Sequence, residues 1–127
     1  MLNISLWVLQ FLLAAAFFAH GWLFLSPPAA LLEQMNASIN PAFRIFIGVA
    51  EVLAAIGLTL PGITHIRPSL VPSAAAGLAI VMISATVFHI ARGEISSAVV
   101  TTILLALTVF VAYTRWKVLP IRPRAVV

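Results

Sequence analysis

Four apolar runs, at residues 2–24, 41–60, 71–90 and 95–113, constrain this chain more than any other feature. A helix rises about 1.5 Å per residue, so roughly 20 residues cross the ~30 Å hydrocarbon layer, and each run is long enough to do so. Backbone amides and carbonyls in lipid must be paired within the protein, which makes each run a helix. The runs occupy most of the 127 residues, leaving no room for a separate soluble domain, and the chain is 63% hydrophobic and only 8% charged. The expected fold is therefore all-α: a polytopic membrane protein, an antiparallel four-helix transmembrane bundle, forming one four-span domain over 1–127 with a basic tail at 114–127.

The breaks between runs carry their own chemistry. Ser26, Pro27 and Pro28 stop the first span, because proline lacks an amide proton and pushes its predecessor out of helical geometry. A secretory signal is a poor reading of that span, since no positive residue precedes it and no soluble domain follows. Residues 29–39 mix Glu33, Gln34 and Asn36 with Leu31, Leu32 and Met35, as in a short helix on the membrane surface or an ordered loop. Asn40 and Pro41 suit a helix start, a capping side chain followed by proline in the first turn. Pro61 and Gly62 are expected to end the second span, residues 64–69 form a polar connection, and residues 91–94 a tight turn. Such short links make successive helices antiparallel.

Polar residues inside the spans point to a site. Arg44 and Glu51 lie within the second run, and with Gly48 and Ala55 they form one helical stripe. A charge at the bilayer centre costs about 2.5–3.5 kcal/mol on insertion scales, so this stripe should face protein or a wet cavity. By the alternation of spans, His20, Arg44, His89, Arg92, Glu94 and Thr101 all fall in one leaflet, and Glu51 reaches toward the midplane. The expectation is a polar pocket floored by a carboxylate. Plainer roles exist for each group. Arg44 and Glu51, about 10 Å apart along the axis, could pair to fix register, the histidines could be solvated, Arg92 and Glu94 could serve a turn, and Ser97, Thr101 and Thr108 could act as packing glue.

Composition excludes several classes. Without cysteine there is no disulfide, thiolate metal site or thiol nucleophile. No metal-ligand cluster, phosphate loop or nucleophile elbow is present, and two lone histidines are a poor basis for haem or zinc. The net charge of +4 gathers after the last span, in Arg115, Lys117, Arg122 and Arg124 beside Tyr113 and Trp116. That placement fits a membrane surface rather than nucleic acid, and puts both termini in the cytoplasm by the positive-inside rule.

The segments FFAHGWLFL, FRIFIGVAEVLAAIGLTLPGI and VFHIARGEISSAVVTTILLALTVFVAYTRW resemble the DoxX family of small bacterial membrane proteins, in particular its short DoxX-like branch. The resemblance covers nearly the whole chain and is most marked at Arg44, Gly48 and Glu51 with the LTLPG that follows, and at His89, Arg92 and Glu94. It implies a multi-pass bacterial inner-membrane protein, and a class role as the membrane subunit of a quinone-linked oxidoreductase.

Three functions are then expected in order. In the first, a quinone-linked redox subunit, Arg44, Arg92, Glu94 and Thr101 bind a lipophilic head group, while Glu51, His89 and His20 handle protons. No cofactor is held covalently, quinone is the diffusible candidate, and a soluble redox partner protein carries the electrons. In the second, the same groups run acid–base catalysis as a cofactor-free isomerase, cyclase or epoxide hydrolase on a lipophilic substrate. In the third, the chain is an assembly factor or proton-coupled transporter. Besides the lipid bilayer itself, a homo-oligomer remains open as a partner.

Overall fold

The computed structural model describes residues 1–125. Helix α1 spans Leu2–Leu25, α2 Ala29–Ser38, α3 Pro41–Thr64, α4 Leu70–Ala91 and α5 Ile95–Tyr113, the last extended by a π-helical turn at Thr114–Val118. No strand occurs among the described residues. The four long helices have the length and hydropathy to cross a membrane, so the chain is an integral, multi-pass membrane protein. The last two positions of the expected tail lie outside the described residues.

Successive long helices run antiparallel. The most extensive contacts join α1 to α3 and α4 to α5, with α3 packed on α4 and α1 touching α5 more lightly. A core of Leu13, Phe17, Ala55, Leu58, Ala75, Leu78, Met82 and Val111 lies between them. Residues such as Phe11, Phe46, Leu53, Ile80, Ile83, Val100 and Ile103 point outward. In water that surface would be an aggregation liability, whereas in a bilayer it meets acyl chains as apolar as itself.

Because lipid offers no hydrophobic incentive for helices to pair, they associate through close fit. Gly21 and Gly48 show how α1 and α3 achieve it. A Cβ on Gly21 would stand 2.9 Å from the Gly48 carbonyl oxygen, and a Cβ on Gly48 would stand 2.9 Å from that of Gly21. Neither backbone could then remain where it is.

The helix starts and stops show two departures from expectation. Asn40 caps α3 as foreseen, its Oδ1 accepting from the Ala42 amide at 2.9 Å. Pro61, however, does not end that helix, which continues to Thr64. A proline costs one amide donor, and Thr64 Oγ1 donates to the Leu60 carbonyl at 2.9 Å in the last turn. The chain then leaves through His65 in the left-handed region, φ 57°. Residues 29–38 form a helix, and no residue of α2 is buried. The second departure is at the far end. Helical winding continues past Tyr113 to Val118, so the tail begins later than expected and Arg115 belongs to the bundle.

Candidate functional site

The polar residues anticipated for one pocket divide into two groups at the same end of the bundle. The first lies between α1 and α3. His20 Nδ1 and Glu51 Oε2 are 2.6 Å apart, and Glu51 is 1% exposed, near the middle of α3. The His20 side chain is 50% exposed, and its ring packs on Phe24 with centroids 4.4 Å apart. Gly21 explains how the contact forms. It follows His20 directly, and a Cβ there would approach the Glu51 Cβ to 3.0 Å. The close crossing of the two helices is therefore what carries the imidazole to the carboxylate.

Arg44 does not pair with Glu51. Its Nη1 donates to the Phe24 carbonyl at the end of α1, and its Nε is buried without a partner. The helix geometry accounts for this. Two turns separate Arg44 and Glu51 along α3, whereas the last carbonyls of α1 have no amide partner within their helix and lie beside the first turn of α3. Arg44 is 7% exposed, so this donor is left unsatisfied inside the α1–α3 crossing.

The second group is the α4–α5 turn. His89 Nδ1 meets Glu94 Oε2 at 2.6 Å, and Arg92 Nε donates to Glu94 Oε1 at 2.8 Å. Gly93, at φ 73°, permits the reversal that folds these three side chains together. Arg92 holds the Glu94 carboxyl below the ordinary carboxylate range, and His89 adds to the effect. Although Glu94 occupies the cap position of α5, its side chain makes no capping bond, because both oxygens are taken. Arg92 also reaches Ser38 Oγ at the end of α2, at 3.5 Å. Thr101 lies deeper and shares a hydrogen bond of 2.8 Å with Thr86, fastening α5 to α4.

Among the described residues, no hydrogen bond or ion pair links the His20–Glu51–Arg44 group to the His89–Arg92–Glu94 group. No cluster of three or more histidine or acidic side chains suited to a metal ion occurs among them either.

One polar network escaped the sequence reading. Gln10, fully buried in α1, donates from Nε2 to the Leu58 carbonyl of α3 at 2.7 Å and accepts at Oε1 from Arg115 Nε at 2.7 Å. Arg115 also donates from Nη1 to Asn3 Oδ1 at 2.7 Å, and it packs over Trp7 at 5.3 Å. The signal was present: Arg115 follows Thr108 at the same spacing at which Thr108 follows Thr101, on the face turned inward. Gln10, an isolated polar side chain within the first apolar run, was the other.

A family model described as the DoxX-like family matches residues 8–111. No curated protein and no solved structure matches the chain.

Proposed function

The chain belongs to the DoxX-like family, and on that premise we propose that it is the membrane subunit of a quinone-linked redox system, with the His20–Glu51 pair as its proton-handling centre. The observation that carries this reading is a buried carboxylate 2.6 Å from an imidazole whose other side is open to the outside of the bundle. In the tautomer with the proton on Nδ1, the imidazole donates to Glu51 and keeps Nε2 as an acceptor for a ligand.

The fit to a quinol-type head group rests on three groups. Nε2 can accept a hydroxyl proton, and Glu51 stabilises the imidazolium that results. The unpaired Arg44 Nε suits a carbonyl or phenolate oxygen, and Phe24 beside His20 offers a ring for stacking. Oxidation of the quinol releases two protons and two electrons. The protons pass to His20 and on to the solvent at the membrane face. The electrons pass to a soluble redox partner protein, because no side chain of this subunit accepts them. His89, Arg92 and Glu94 lie outside this contact and serve docking of that partner or the turn itself, and Thr101 fastens α5 to α4.

We place the protein in the bacterial inner membrane with both termini cytoplasmic, in line with the excess of arginine and lysine at that end. In detergent, the purified protein should bind a quinone analogue, and Arg44→Ala should weaken binding about tenfold, the loss of one charge-assisted hydrogen bond. Absence of binding, or binding indifferent to this change, would refute the reading. The same pair also suits a cofactor-free acid–base enzyme. Turnover of a lipophilic substrate by the isolated chain, abolished in Glu51→Gln, would identify that second function.

A further inference from the structure

The proposed redox role leaves the opposite end of the bundle unused, yet two cavities lie there. One of about 420 Å³ is lined by Arg67, Pro72, Arg115, Trp116 and Pro120 among others. A second of about 400 Å³ is lined by Asn3, Trp7, His65, Arg115 and Arg122 with their neighbours. Arg115 is common to both. Among the described residues no carboxylate lines either one, and the three acidic side chains, Glu33, Glu51 and Glu94, lie at or toward the other end.

Arg115 is the unusual feature. It is 3% exposed, held by Gln10, Asn3 and the Leu119 carbonyl through Nε and Nη1, while Nη2 is buried with no partner. A buried cation without a counter-charge is expensive, and a guanidinium nitrogen left without a partner suits an oxygen of a phosphate or carboxylate. The roof is also fixed. His65 Nδ1 contacts the Arg122 carbonyl at 2.8 Å, and the Arg124 amide donates to the His65 carbonyl at 2.8 Å. This holds the segment carrying Pro120, Ile121 and Arg122 over the cavities. The side chains of Arg67 and Arg122 form no ion pair among the described residues.

We propose that this end of the bundle is a binding site for a phosphoryl group, with Arg115 as its buried anchor and Arg67 and Arg122 at its mouth. Largely apolar walls around a cationic floor suit the headgroup of an anionic phospholipid, and a free phosphate shares the same recognition chemistry.

The test uses the full chain purified in detergent, with native mass spectrometry in the presence of short-chain phosphatidylglycerol, short-chain phosphatidylcholine or inorganic phosphate. The expected result is retention of phosphatidylglycerol in preference to phosphatidylcholine, weakened about tenfold in the double variant Arg67→Asn/Arg122→Gln, in line with loss of charge-assisted contacts. Asparagine is chosen because Arg67 sits at φ 48°, which asparagine tolerates. Both residues are exposed, so the variant should fold even if Arg115→Gln does not. Retention of phosphatidylglycerol without inorganic phosphate assigns the site to lipid, and displacement of the lipid by phosphate assigns it to the free anion. Equal retention of the two lipids with no phosphate bound, no retention at all, or an unaltered double variant overturns the proposal.

Discussion

Two histidine–glutamate contacts of the same 2.6 Å length occur in this protein, and they have little else in common. His20 and Glu51 come from different helices, and the carboxylate is buried in the bundle with the imidazole as its only side-chain partner among the described residues. His89 and Glu94 lie within one turn, both partly exposed, with Arg92 sharing the carboxylate. Distance alone therefore says little about what an ion pair is worth. In the interior, removal of one member strands the other where nothing replaces it. At the turn, water and a second cation replace it at once, and such exposed pairs contribute little.

Substitutions rank the two pairs. The largest effect is expected for His20→Ala, which leaves Glu51 buried and unpaired. It should lower stability by about 3 kcal/mol, read as the loss of melting temperature in detergent. Adding Glu51→Gln should recover much of that loss, and a double variant no better than His20→Ala would show that the contact is energetically idle. A smaller effect is expected between the pairs, at the Thr86–Thr101 bond. Thr101→Val should cost about 0.6 kcal/mol, the average for hydrogen bonds between membrane helices. The smallest belongs to the turn, where Glu94→Gln should leave the melting temperature near neutral pH almost unchanged.

The turn does carry a pH signature. The folded-state pKa of Glu94 is depressed below 4.5, with Arg92 the leading cause and His89 the next. Its small contribution is therefore present above the ordinary carboxylate range and lost as pH falls through the lower, folded value. Glu94→Gln should flatten the acid limb of a stability–pH profile below about 4.5 and leave the neutral region alone. A flattening at neutral pH instead would mean that the turn couples to another titrating group.

The four spans could be read from apolar run length because lipid forces that solution on the backbone, and Asn40 could be read as a cap from its local sequence. Pro61 misled, since a proline removes one amide donor without by itself forcing the chain out of helix, and α3 runs on to Thr64 before His65 turns left-handed. Within the site, Glu51 was recognisable as buried, but its partner was not. Spacing along one helix suggested Arg44, whereas the glycine crossing at Gly21 and Gly48 brings in His20 from another. Arg115 was assigned to a solvated tail because sign and position fitted the positive-inside rule. The phase that continues the Thr101–Thr108 stripe places it inside, where Gln10 and Asn3 receive it.

Helix α2 carries a consequence for handling the molecule. Its Leu31, Leu32 and Met35 are half-buried rather than sealed in the core, and among the described residues its one side-chain hydrogen bond is the long one from Arg92 to Ser38. Much of what steadies this segment is then left to the headgroup layer, so it acts as a float that sets how deeply the rest rides. Bilayer thickness and surface charge become part of its conformation, and a micelle that preserves the four rods need not preserve their draught.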